Sequence, residues 1–235
     1  MAITRTGSIT QFTSTANSST QGLTVAADAE LLIVGISGYT SGEASLFSGG
    51  TLTVGGSPMT AVGCDANTGF MQGCLWYKFS PATGTPTLAW NWVGSSTLGY
   101  GGRFVYAAYK GVDTGGIRDS DGVQGNMPVS TKSLSCLSGD LIVAFGEEYH
   151  ASGATASWTN VAEVQALTYT NIVSSSLAEG SPSGSTTVGL TFITAQDGGC
   201  AAIVVKPAGA GPSGRIFKLA GEGGGLAGPR RGLAA

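Results

Sequence analysis

The chain has 235 residues, a net charge of −3, only 11 % charged side chains and 39 glycines. So few charged residues argue against long solvated helices and favour many short strands joined by tight turns. The lack of a basic face argues against a nucleic-acid partner, and no apolar run reaches the about 18 residues that a membrane span needs.

The first half of the chain predicts strands almost throughout. Residues 1–28 predict one or two short polar edge strands, and the apolar run 31–39 predicts a buried strand. The segment 51–63 alternates around two glycines and predicts a hairpin. Alternation places both tryptophans of 86–92 on one face of a strand, and it gives 101–112 large side chains on both faces.

The glycine-rich segment 113–128 shows no strand pattern, and after it the order of strand types begins again. Residues 138–149 (SGDLIVAFGEEY) are similar to the first apolar run, and the closing run GGCAAIVVKPA is similar to GGRFVYAAYKG. We therefore predict two pseudo-repeat halves, at about 29–112 and 138–208.

These patterns predict an all-β protein with two parts. Residues 1–208 are expected to form a jelly-roll-like, two-sheet antiparallel β-sandwich, because two sets of strands joined by long crossings fit that arrangement. Alternating aromatic side chains supply the core between the sheets. Residues 209–235 are expected to form an extended glycine-rich C-terminal arm.

The C-terminal arm is too glycine-rich for a strand or a helix and too apolar for an ordinary solvated tail. We predict that it docks on a neighbouring subunit, with apolar anchors buried there and arginines at acidic patches. The alternative is a disordered glycine-rich end. The predicted partner-binding residues are Arg215, Ile216, Phe217, Leu219, Leu226, Arg230, Arg231 and Leu233.

The four cysteines do not predict a zinc site, because none forms a C-x-x-C pair. Cys136 and Cys200 lie beside apolar strands, where buried free thiols are expected. Cys64 and Cys74 flank a short loop and are able to pair, but reduced thiols are the expectation for a cytoplasmic product.

The chemically active residue types do not predict an enzyme or a cofactor. His150 is the only histidine, and no G-x-S-x-G elbow accompanies it. Glu147 and Glu148 are adjacent on a predicted strand, so they point to opposite faces and do not form an acid–base pair. Asp119 and Asp121 are weak metal candidates; the alternative is a polar turn in which they cap backbone amides.

The tryptophans raise the possibility of glycan binding, because sugar sites combine exposed aromatic rings with polar groups. The alternative is that Trp76, Trp90, Trp92 and Trp158 belong to the core. Exposure in a groove distinguishes the first case from burial inside the sandwich.

One ordered series of motifs resembles a known family: AELLIVGISGY, TLTVGGSPMTAV, GCLWYKFSPATGTPTLAWNW, VYAAYKGVD, SGDLIVAF and AAIVVKPA. The family comprises mostly uncharacterised β-sandwich virion proteins of tailed bacteriophages and prophages. The resemblance covers about residues 29–208 and departs after GVD, where TGGIRDSDG replaces a segment that often contains proline. It implies a jelly-roll-like fold and a capsid-decoration, fibre or tail-associated role, and it carries no agreed catalytic residues.

We therefore expect a non-enzymatic structural virion protein, first of all a capsid decoration or cement protein. It would be synthesised in the bacterial host cytoplasm, because MAITRTGSITQF lacks the apolar region of a signal peptide. The expected partners are major capsid or tail subunits and further copies in a homo-oligomer, with no membrane. The alternative is a tail or fibre component that binds a surface glycan for host attachment.

Overall fold

A computed structural model describes residues 2–39, 50–63, 71–92, 102–126, 128–149, 156–168, 173–192 and 197–209. Within these ranges the protein contains strands and turns but no helix, which confirms the predicted all-β class. No helix in this part of the chain is therefore long or apolar enough to span a membrane.

The strands divide into two sets along the chain, here called the first and second halves. The first half contains β1 (Thr4–Ser14), β2 (Ser18–Gly22), β3 (Leu31–Tyr39), β4 (Thr51–Val54), β5 (Ser57–Pro58), β6 (Thr60–Val62), β7 (Met71–Phe79), β8 (Thr87–Asn91) and β9 (Gly102–Lys110). The second half contains β10 (Asp119–Asn126), β11 (Val129–Ser130), β12 (Leu141–Tyr149), β13 (Ala156–Thr159), β14 (Ala162–Thr168), β15 (Val173–Gly180), β16 (Gly189–Phe192) and β17 (Asp197–Val205).

These strands form four antiparallel sheets. The first half builds inner sheet 1, in the order β1-β9-β3-β7-β6, and outer sheet 1, in the order β2-β8-β4-β5. The second half builds inner sheet 2, β10-β17-β12-β15-β14, and outer sheet 2, β11-β16-β13. Each outer sheet packs on its own inner sheet, and the two inner sheets pack on each other. The prediction of two sheets was wrong in number, because each half forms a pair of its own.

The stacking explains why the central strands are apolar on both faces. Leu32, Val34 and Ile36 of β3 pack toward outer sheet 1. Leu31 and Ile33 of the same strand pack toward inner sheet 2. An antiparallel strand usually has one solvated face and alternates in polarity, so the continuous run follows from the second buried face.

The two halves repeat one order of strands. Inner strands β1, β9, β3, β7 and β6 correspond in order to β10, β17, β12, β15 and β14, and outer strands β2, β8 and β4 correspond to β11, β16 and β13. The repeat thus includes β10, in a segment expected to have no strand. That expectation was wrong because an edge strand pairs on one side only and does not need an apolar pattern.

Two local predictions are confirmed. The hairpin in 51–63 joins β4 and β5 through Gly55 and Gly56, whose φ angles of 55° and 77° suit a tight turn between antiparallel strands. Trp90 and Trp92 lie on one face and are buried in the core between inner and outer sheets 1.

Glycines allow the inner sheets to approach closely. A Cβ atom placed on Gly35 would overlap the ring of Phe145 from the opposite sheet. Nearer the edge, a Cβ on Gly122 would overlap the backbone of Gly63. Because the second contact involves backbone on both sides, a side chain at Gly122 would require one half to shift against the other.

Candidate functional site

Part of the predicted site lies outside the described residues. This applies to residues 210–235, and so to all eight arm residues proposed to bind a partner. It also applies to His150 and Cys64. The docking role of the arm therefore stays a prediction.

The two weak metal candidates, Asp119 and Asp121, accept hydrogen bonds from backbone amides. Asp119 accepts a hydrogen bond from the Ser135 amide at 2.9 Å, and Asp121 accepts one from the Lys132 amide at 2.6 Å. The Ser135 amide lowers the pKa of Asp119, which keeps that carboxylate charged at neutral pH. The described residues contain no group of three or more metal-ligating side chains. Both aspartates therefore hold residues 132–135 against β10 by capping backbone amides, which is the alternative to a metal site.

The cysteines fall into two groups. Cys136 and Cys200 are buried free thiols, as predicted, and burial raises the pKa of Cys200 to about 12. Cys74 is disulfide-bonded, so the expectation of a reduced thiol there was wrong. Cys64, the remaining cysteine of the chain, lies outside the described residues.

The tryptophans do not form an exposed aromatic platform. Trp76, Trp90 and Trp92 are at most 5 % exposed and pack between inner and outer sheets 1. Trp158 of outer sheet 2 is half-buried, and its Nε1 donates to Ser176 Oγ of inner sheet 2 at 2.7 Å. Their rings therefore serve the core rather than a sugar site.

A largely buried polar cluster lies between the inner sheets at the end where β3 and β12 finish. We call it the polar seam, and it consists of Ser37, Arg103, Gln124, Glu147 and Ser175. Ser37 Oγ lies 3.3 Å from Ser175 Oγ across the two sheets. Gln124 Nε2 donates to the Gly73 carbonyl at 3.0 Å, and the side chain of Glu147 packs against Gly73. The seam thus joins the halves by polar contacts where the apolar interface ends.

The opposite end of the same interface carries a second polar contact. Tyr109 Oη donates to Glu179 Oε1 at 2.8 Å, and Arg5 lies 3.4 Å from the same oxygen. Burial and the adjacent carboxylate raise the pKa of Tyr109 well above its ordinary value, so the phenol remains a donor. Apolar packing between the halves is therefore bounded by hydrogen bonds at both ends.

Glu147 and Glu148 point to opposite faces of β12, as alternation predicts. Glu147 packs on Gly73 of inner sheet 1, whereas Glu148 shares the face of Gly146, which lies against Trp158 of outer sheet 2. Both glutamates are fully buried. Neither carboxylate oxygen of Glu148 accepts a hydrogen bond from the described residues. The two side chains therefore do not act together on one substrate.

Burial of Glu148 makes the stability of the protein pH-dependent. Desolvation raises its pKa from 4.5 to about 7, so the folded protein keeps a proton that the unfolded chain releases. Stability is therefore expected to fall by on the order of 3 kcal/mol as pH rises from about 4.5 to about 7.

The variant Glu148→Gln tests this pH dependence. The fall in the free energy of unfolding should be absent from its urea unfolding curves measured between pH 4.5 and 7. Glu163→Gln, at an exposed position of β14, is the matched control, and a slope that persists in Glu148→Gln would contradict the assignment.

The residues that the structure describes line three small cavities at the surface of the first half and at its border with the second half. One of about 240 Å³ lies between β1 and β14, one of about 220 Å³ beside β1, and one of about 280 Å³ on outer sheet 1. All three are below the about 300 Å³ at which pockets for drug-sized ligands begin. They suit small polar ligands or shallow contact with a partner.

Comparison with protein-family models, with curated proteins and with solved structures finds no match to this chain. The resemblance to phage virion proteins therefore stays a prediction.

Proposed function

We propose that this protein is a non-enzymatic structural protein of a tailed-phage particle, most simply a capsid decoration or cement protein. Its body would be two stacked jelly rolls, and its C-terminal arm would dock on neighbouring subunits. Many copies would then reinforce a lattice by avidity.

The observation that carries this proposal is the strand order. Strands β5 and β6 are separated by Met59 alone and count as one strand that passes from the outer to the inner sheet. With the first-half strands renumbered 1 to 8 in chain order and this strand as 5, the inner sheet has the order 1-8-3-6-5 and the outer sheet 2-7-4-5. Apart from the end of strand 5 that joins the inner sheet, this is the order expected for a wrapped jelly roll. The second half follows the same order, except that β14 joins the inner sheet only.

Jelly rolls build viral capsids and also lectins, so the fold alone is an analogy that leaves two roles. The burial of the tryptophans favours the structural role over an aromatic sugar platform. The stacked inner sheets also favour it, because a body buried on both faces of its central strands is stiff. A stiff body would hold its outer faces at a constant distance from the C-terminal arm that attaches it, as a structural role requires.

Removing the arm tests the proposal. A chain ending at Gly211 is expected to keep its thermal midpoint but to lose binding to purified particles and the defined oligomer, measured by co-sedimentation and light scattering. The full-length double variant Phe217→Ser/Leu219→Ser should behave likewise. Leu137→Ser is the matched control, because Leu137 is an exposed leucine of the body at 47 % exposure. Normal particle binding by the truncated chain would contradict the arm's role.

The alternative function is a tail or fibre component that binds a surface glycan. The groove on outer sheet 1 favours it, because its lining is rich in hydroxyl and amide groups from Ser18, Thr20, Thr51, Thr53 and Asn91. A glycan array with the full-length chain separates the two functions, since a decoration protein binds particles and not isolated glycans.

A further inference from the structure

We propose that the cavity beside β1 binds a small neutral polyhydroxylated ligand, about the size of one sugar ring. This site is separate from the groove on outer sheet 1 and from the arm. It does not depend on the structural role proposed above.

A bulge in β1 opens the cavity. Thr6 pairs with Ala108 and Thr10 with Tyr106, so residues 7–9 stand opposite one residue of β9. Gly7 permits this path with a φ of 74°. Bulges of this kind are common beside binding and active sites.

The bulge is not required by the fold. Strand β10 occupies the corresponding edge of the second half and pairs with β17 without a register shift. The jelly-roll order therefore forms equally well with a regular strand at this position. The opening is a property of the first half alone.

The lining of the cavity is neutral and rich in hydroxyl groups. The cavity has a volume of about 220 Å³. Its polar side chains are Thr6, Ser8, Thr10, Thr24 and Tyr106, and Ala26 and Ala108 add small apolar patches. Hydroxyl groups both donate and accept, as do the hydroxyls of a sugar, and methyl groups suit its C–H faces. The absence of charge from this lining disfavours an ionic ligand.

Two buried hydroxyls retain unused hydrogen-bonding capacity. Thr6 is 8 % exposed, and its Oγ1 has no hydrogen-bond partner among the described residues. Tyr106 Oη accepts a bond from the Thr24 amide at 3.1 Å, which leaves its own proton to donate. A buried polar atom without a partner is costly, so a bound polar molecule at this position would stabilise the folded chain.

The test is an NMR titration of the full-length protein with glycerol and with glucose, galactose, mannose and N-acetylglucosamine, each sugar free and as its methyl glycoside. We expect saturable shifts of the Thr6, Thr10 and Thr24 amides for at least one compound. Binding of the methyl glycosides would identify the terminal unit of a glycan as the source. Binding of only the free compounds would identify a free sugar or polyol.

A conservative variant distinguishes a ligand site from a water-filled gap. Thr6→Val keeps the shape but removes the hydroxyl, so it should weaken binding about threefold to tenfold without lowering the thermal midpoint. Thr60→Val, at an exposed position of β6 that lines none of these cavities, should leave the titration unchanged. The proposal is overturned if no compound gives saturable shifts, if Thr6→Val does not weaken binding, or if Thr6→Val lowers the midpoint as loss of bridging water would.

Discussion

Replacing Phe145 by alanine is expected to lower the free energy of unfolding by about 3–5 kcal/mol. The ring is 1 % exposed and belongs to the core between the two inner sheets. The ring fills the space left by the missing side chain of Gly35 on the opposite sheet. Because the Gly35 backbone belongs to a paired strand and cannot move into this space, the alanine variant would keep an empty cavity. Urea unfolding followed by tryptophan fluorescence measures the loss.

A double-mutant cycle tests whether the two positions meet as described. Gly35→Ala alone should be destabilising, because its methyl group overlaps the Phe145 ring. In combination with Phe145→Ala the same methyl group has room, so the two losses should not add. Gly22→Ala is the matched control, since a Cβ there meets no neighbour within 4 Å. Additive losses would contradict the contact and with it the stacking of the halves.

Replacing Arg118 by alanine is expected to lower the free energy of unfolding by about 3–5 kcal/mol. Its guanidinium donates two hydrogen bonds to the Asp140 carboxylate, from Nε to Oδ2 and from Nη2 to Oδ1, the second at 3.1 Å. The Asp140 side chain is fully buried and also accepts the Leu137 amide at 2.7 Å. Without the arginine, a buried carboxylate would lose its counter-charge in a poorly solvated position.

Two variants distinguish this pair, in which Asp140 is fully buried, from an ordinary surface ion pair. Arg118→Lys keeps the charge but loses the planar fork, so its loss should be intermediate. Lys132→Ala breaks the more exposed pair with Asp119, whose two atoms lie 3.5 Å apart, and should change the unfolding midpoint little. Equal losses in Arg118→Ala and Lys132→Ala would contradict the special position of Asp140.

Both stability predictions bear on the proposed function. Phe145 lies between the halves, whereas Arg118 lies at the junction where the chain passes from the first half into the second. If either variant unfolds in two steps, the body is less cooperative than its packing suggests. The proposed decoration role needs a cooperative body, because the predicted arm would then exchange partners without destabilising the body.

The sequence by itself determined the features that depend on neighbouring residues. Alternation placed Trp90 and Trp92 on one face, and two glycines marked the β4–β5 hairpin. Each signal extends over a few residues, since a strand alternates with period two and a tight turn needs positive φ. The same local signals predicted polar edge strands near the N terminus, where β1 and β2 lie.

Tertiary structure alone decided how many sheets form and what lies between them. Nothing around Glu148 in the sequence predicts full burial, which follows from the outer sheet packed on its face of β12. Strand β10 and the hydroxyl-lined cavity depend on pairing with β17 and β9, which are distant along the chain. Alternation in the sequence shows that one face of a strand is buried. Whether the other face is also buried, and which strand pairs with each edge, depends on elements that meet only when the whole chain has folded.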